Sequence, residues 1–145
     1  MGVAELLLKR KQELAARNLE EGTAYCNAFR NEDGVVELGE GVLYKVIEQG
    51  TGVKPAADDR VRCHYHGTNI KGEVFDSSYE RGLPAEFSIS KLIKGWQLVM
   101  PQLSEGTKAR LVIPSQLAYG EEQISKEIGP NSTLVFDVEL LEVIA

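Results

Sequence analysis

The sequence predicts an α+β domain preceded by an N-terminal helix, and three observations predict it. Residues 4 to about 29 carry an apolar stripe at helical spacing. After Gly34 the period changes to the two-residue alternation of strands, broken repeatedly by turns. A second helical stripe interrupts the strands: Trp96, Val99, Met100 and Leu103 fall at i, i+3, i+4 and i+7.

The elements follow in order. Ala4, Leu8, Ala15, Leu19, Gly22, Cys26 and Phe29 recur at mostly three-, four- and seven-residue steps, with Lys9, Arg10, Lys11, Glu13, Arg17, Glu20 and Glu21 on the other face. Gly22 costs helix stability and is a candidate kink. Asn31-Glu32-Asp33-Gly34 is turn chemistry that ends the helix, so residues 1–33 are expected to form a helical extension and residues 34–145 a separate domain. Val35 to Leu38 and Val42 to Glu48 read as strands, the second closed by Gly50-Thr51-Gly52. Arg60 to Thr68 alternates, with Val61, Cys63 and Tyr65 on one face and Arg62, His64 and His66 on the other. Glu86 to Ile89, Lys108 to Ile113 and Thr133 to Val143 complete the set, and the last points Leu134, Phe136, Val138 and Leu140 one way. Strands with one apolar face, joined by turns, suggest a largely antiparallel sheet, and one short helix from about Gly95 to Leu103 packs against it.

Composition narrows the function. The 145 residues are one domain's worth and carry a net charge of −6, with 43% hydrophobic and 26% charged residues. An acidic balance argues against nucleic acid as the main partner, because phosphate recognition needs a basic face. No polybasic stretch suits an anionic membrane, and no apolar run reaches spanning length. The opening MGVAELLLKRKQELAARN is not a secretory signal: Leu6-Leu7-Leu8 is too short and charge follows at once. Leu6 also stands where a myristoylation motif requires Ser or Thr. Cys26 and Cys63 lie far apart with no CxxC partner, as free thiols in a reducing compartment do. A cytoplasmic location is the expectation.

Four separated motifs then carry a resemblance. VRCHYHGTNIKGEVFDSS, PAEFSISKLIKGW, LAYGEE and IGPNSTLVFDVELLEV resemble the FKBP-type peptidyl-prolyl cis-trans isomerases in order and spacing, over about residues 40 to 144. The segment before them, from the helix through GVVELGEGVLYKVIEQGTG, resembles the bacterial macrophage-infectivity-potentiator branch. The resemblance implies a curved antiparallel β-sheet wrapped around a short α-helix, with an apolar pocket between them. It implies that Tyr65, Phe75, Asp76, Trp96, Tyr119 and Phe136 form the catalytic set, with Phe87, Leu92, Ile93 and Ile128 binding substrate. Trp96 would be the pocket floor, and the Ile93 N–H and Tyr119 hydroxyl would meet substrate or inhibitor carbonyls. The expected partners are proline-containing polypeptides and macrolide inhibitors of the rapamycin type, with no cofactor or metal. Departures from the family pattern are His66 in place of Thr, Ala85 in place of an aromatic wall, Pro101 within the short helix, and an unusually charged loop from Glu121 to Glu127.

These residue types suit that chemistry. Cis and trans X–Pro amides have similar energies and are separated by a barrier of about 18–20 kcal/mol, the loss of amide resonance on twisting. No covalent bond breaks, so no nucleophile is needed. The planar amide is the charge-separated form that water favours, so an apolar, water-excluding pocket favours the twisted one. A carboxylate at Asp76 beside Tyr65 could accept the phenolic hydrogen bond and hold the pocket edge, provided that the chain bends there. Taken singly, aromatics in strands are more often core than pocket, and Asp76 in FDSS reads equally as a turn residue. Two other functions remain open: a non-catalytic peptide-binding module, and a metal role through the His64-x-His66 pair, which reads more plainly as solvated strand histidines. The N-terminal stripe needs a partner, because an isolated helix of this length is marginal. A homodimer, docking on its own domain, and projection into solvent are the alternatives.

Overall fold

A computed structural model describes residues 2–144 of the chain. Helix α1 spans Val3–Arg30 and ends at Asn31, and Gly34 turns the chain with φ +82°. Strands β1 (Val35–Glu37), β2 (Leu43–Glu48), β3 (Arg60–Asn69), β4 (Val74–Ser77), β5 (Ala85–Ser88), β6 (Lys108–Ile113) and β7 (Leu134–Ile144) follow. A one-turn helix α2 (Ser78–Arg81) follows β4, and helix α3 (Lys94–Val99) follows β5.

Every strand pairing is antiparallel, in the order β1-β2-β6-β7-β3-β4, with β5 also on β3. β3 organises the sheet. Along one edge it pairs with β7, from Arg60 opposite Ile144 to Asn69 opposite Leu134. Along the other it pairs with β5 over its first half and β4 over its second.

Strict alternation divides the sheet into two faces. Val42, Tyr44, Val61, Cys63, Tyr65, Leu111, Ile113, Leu134, Phe136, Val138 and Leu140 point inward and bury against Trp96, Val99, Met100 and Leu103. The intervening Leu43, Val112 and Val135 form a smaller patch on the outer face, covered by Cys26 and Phe29 of α1.

Two glycines set how closely the helices approach. A Cβ on Gly95 would lie 2.5 Å from Ile113 Cγ2, so only glycine lets α3 settle on β6. A Cβ on Gly22 would lie 2.3 Å from Thr133 Oγ1. The candidate kink at Gly22 is therefore corrected: α1 runs through it unbroken, and the residue serves contact. The apolar stripe of α1 is buried only over its last turns, at Gly22, Cys26 and Phe29. Leu7, Leu8 and Leu19, each about half exposed, have no cover among the described residues.

Two further expectations change. Val74–Ser77 is a strand and Ser78–Arg81 a helical turn, where the sequence suggested only a turn. The α-helical ladder of α3 stops at Val99, and the chain continues as a 3-10 turn, Met100–Gln102, around Pro101. Proline thus falls where the helix changes type, a position that tolerates its missing donor.

Candidate active site

Nine of the ten expected residues line one cavity of about 130 Å³: Tyr65, Phe75, Asp76, Phe87, Leu92, Ile93, Trp96, Tyr119 and Phe136. Six are aromatic, and five of the rings, all but Tyr119, pack mostly edge to face. Trp96 sits 5.2 Å from Phe136, 5.7 Å from Tyr65 and 5.8 Å from Phe87 between centroids, at interplanar angles of 85°, 87° and 72°. Phe75 meets Phe136 at 5.5 Å and 88°. Rings in this geometry hold each other rigidly and present a hydrocarbon wall to whatever enters. Trp96 and Phe136 are buried, while Tyr119 stands at the rim, 38% exposed.

The tenth residue lies elsewhere. Ile128 is buried in the core cluster and does not line the cavity. Its carbonyl accepts from the N–H groups of Ile124 and Ser125, so it anchors the charged loop. Ala85 is also outside the lining, paired opposite Cys63 on β3.

Phe75 and Asp76 are neighbours in a strand yet face the same cavity. The cause is a bulge: Gly67 pairs with Asp76 and Thr68 with Val74, so Phe75 is the extra residue on β4. Gly67, opposite the bulge, has no side chain to obstruct it. A Cβ there would lie 2.7 Å from Phe75 Cζ and 2.9 Å from Phe136 Cε1. The sequence reading missed Gly67, and the register of the hairpin is what reveals it.

The polar edge consists of three side chains. The Tyr65 hydroxyl donates to Asp76 Oδ2, Arg81 Nη1 donates to Asp76 Oδ1, and Arg81 Nη2 donates to the Tyr65 hydroxyl at 3.0 Å. The guanidinium also lies 5.6 Å from the centre of the Tyr65 ring. Burial pushes the Tyr65 hydroxyl up from its ordinary value, the Asp76 carboxylate adds to this, and Arg81 opposes it. Arg81 was also missed. It rides on α2, where the Ser77 hydroxyl accepts from the Glu80 N–H and Gly82 closes the turn at φ +76°. Ser at the start and Gly just past the end was the available signal for a helical turn returning Arg81 to Asp76.

At the start of α3, the Ile93 carbonyl accepts from the N–H groups of Trp96 and Gln97. Among the described residues no acceptor takes the Ile93 N–H itself, which leaves a donor at the cavity wall. The histidines of β3, read as solvated, are half-buried and hydrogen-bonded. His64 Nδ1 lies 2.8 Å from Ser78 Oγ and His66 Nδ1 lies 3.0 Å from Ser77 Oγ, and His64 stacks on Tyr79 at 4.5 Å. A larger hollow, about 380 Å³, lies over the outer face of the sheet. Its basic groups, Lys45, Arg110 and Lys108, already pair with Glu32, Asp137 and Glu48, so size alone does not make it the better site.

The fold is that of a curved antiparallel sheet holding one short helix, and the cavity between them is the kind that receives an apolar ring. Comparison with known proteins gives it a family. Residues 51–141 match the model of the FKBP-type peptidyl-prolyl cis-trans isomerase domain, and residues 2–46 match the domain amino terminal to it. The chain belongs to the FKBP-type peptidyl-prolyl isomerase family. It is 46% identical over 136 residues to the FKBP-type 22 kDa peptidyl-prolyl cis-trans isomerase of Escherichia coli, covering 94% of this chain and 64% of that one. The crystal structure of FkpA from Escherichia coli superposes with a TM-score of 0.89 at 43% identity, over 94% of this chain and 63% of that one. Outer membrane protein MIP of Legionella longbeachae is 39% identical over 142 residues, 96% of this chain and 61% of the relative. The chain thus spans a little under two thirds of these relatives' length.

Proposed function

We propose that this protein accelerates cis–trans rotation of X–Pro bonds in protein substrates, without covalent catalysis. The observation that supports this best is the convergence of nine separated residues on one aromatic cavity with a single hydrogen-bonded carboxylate at its edge. Five rings besides Tyr65 take the pyrrolidine and exclude water from the twisting amide. The free Ile93 N–H and the Tyr119 hydroxyl hold carbonyls on either side of the proline. Tyr65 and Arg81 fix Asp76 in place before substrate arrives, so its field costs no reorganisation when the amide twists. The same wall and donors suit a macrolide of the rapamycin type. The test is exchange of a short X–Pro peptide with and without such a macrolide. Acceleration abolished by the macrolide is expected. A folded sample no faster than buffer overturns the reading and leaves a peptide-binding module.

The proposal extends to assembly and compartment. Exposed Leu6, Leu7, Leu8, Leu14 and Leu19 on α1 support a homodimer through this helix. Sedimentation should give twice the chain mass, and Leu7→Glu with Leu8→Glu should halve it. Two buried free thiols support a cytoplasmic location, and the name of the Legionella relative points the other way. Fractionation of the native cells decides between them.

A further inference from the structure

The loop that carries Tyr119 is tied at its far end to the N-terminal helix. Asn131 makes both connections. Its backbone N–H donates to the Gly120 carbonyl at 2.7 Å, one residue beyond Tyr119. Its side-chain Nδ2 donates to the Ala15 carbonyl of α1 at 3.3 Å. Asn131 holds φ +57°, a conformation that asparagine tolerates better than most side chains. The neighbouring contacts close the same joint. Asn18 Nδ2 donates to the Pro130 carbonyl at 2.8 Å, and a Cβ on Gly129 would lie 3.1 Å from that nitrogen. On the near side, the Gly120 N–H donates to the Ser115 carbonyl at 2.9 Å. Tyr119 is thus held between the 3-10 turn Ser115–Leu117, just after β6, and a bridge whose other abutment is α1.

We infer that Asn131 is a positioning residue: it sets the Tyr119 ring at the cavity rim by bracing the loop against α1, so the N-terminal helix acts in substrate binding without touching substrate. The inference rests on the isomerase reading. No side chain of α1 lines the cavity. A helix joined to the rim through one bridge can nevertheless change affinity for the bound chain. Tyr119 is the most exposed ring of the cavity and has no hydrogen-bond partner for its hydroxyl among the described residues, so its place depends on its backbone.

The experiment is a double-mutant cycle in the full chain. Asn131→Gly keeps the backbone conformation and the bond to Gly120 but removes the tie to Ala15. It should raise KM for an X–Pro peptide about five-fold, the equivalent of one hydrogen bond, with kcat held. In a Tyr119→Ala background the same substitution should change nothing, because the ring it positions is gone. Asn18→Ala, which cuts the adjacent tie, should follow the same pattern. An unchanged KM for Asn131→Gly overturns the inference, as does an equal effect in both backgrounds, which would mark general loosening. A readout independent of activity accompanies the cycle: the Tyr119 ring resonance, assigned by Tyr119→Phe, should shift in Asn131→Gly. If the unaltered chain proves inactive, the isomerase reading falls, and an unmoved resonance would then overturn the positioning role as well.

Discussion

The two faces of the sheet use one device to different ends. On each, a helix approaches through a glycine: Gly95 of α3 against Ile113, and Gly22 of α1 against Thr133. Inside, the remaining space is filled by rings at near-right angles. Flat plates 5–6 Å apart cannot interdigitate, so a hollow is left beside Trp96. Outside, Phe29 and Cys26 close over Leu43, Val112 and Val135, mostly branched or small groups that pack densely. Both faces are buried and apolar and each borders a hollow, but only the inner hollow is walled by aromatic rings, while the outer one is rimmed by paired charges. What separates a site from a core here is the shape of the filling.

Four substitutions or measurements sharpen this contrast. The largest effect is expected on the outer face. Phe29→Ala should cost about 3–5 kcal/mol in denaturant unfolding, because it empties a buried contact that cannot collapse onto a sheet. At a temperature where the variant remains folded, its kcat/KM should match the parent, and a large drop would mean that the two faces are not independent. Asp76→Leu should do the reverse. A loss of about ten- to hundred-fold in kcat/KM is expected, or ~1.4–2.8 kcal/mol, with unfolding little changed. Full activity would reduce the carboxylate to a turn residue.

The third measurement uses alkaline pH. Burial holds the Cys63 thiol at about 12, against 9.0 for a free thiol. Below pH 9 both folded and unfolded chains keep the proton, so this group adds no pH dependence. Above it the unfolded chain loses the proton first, and stability should fall by about 1.4 kcal/mol per pH unit until roughly pH 12. Denaturant midpoints of the parent and Cys63→Ala should diverge in slope only over that window. The smallest effect is expected for Gly22→Ala. Alanine gains about 1 kcal/mol of helix propensity, but its Cβ meets a buried threonine, and overpacking of this kind costs about 1–3 kcal/mol. A net destabilisation of about 1 kcal/mol should appear in the thermal midpoint, and a gain would show that α1 can shift on the sheet.

Much of this was legible in the sequence because alternation reports directly on burial. Val61, Cys63 and Tyr65 were read as inward, and all three are buried. The same holds for Leu134, Phe136, Val138 and Leu140. Period alone gave only an α+β sheet, and the cavity residues came from the resemblance of the motifs. The bulge at Phe75 was not legible, because register is a property of two strands and the sequence displays one at a time. Arg81 was lost for a similar reason: its partner Asp76 is five residues back, across a helical turn where the sequence suggested only a turn. Ile128 went to the core because an apolar residue in a loop can anchor the loop as readily as it can line a pocket.

One feature of the topology bears on how such a molecule comes into being. β7 is the last strand, and it pairs with both β3 and β6 while supplying Phe136 to the cavity wall. Chains are made from the amino end, so one edge of β3 can pair with β4 and β5 early, while the other waits for β7, some seventy residues later. Pairings between such distant segments form slowly and leave strand edges open in the meantime. A nascent form lacking residues 134–144 lacks Phe136 beside Trp96 and the strand that joins β3 to β6. Closing the cavity wall at Phe136 and joining β3 to β6 are therefore one event, the arrival of β7.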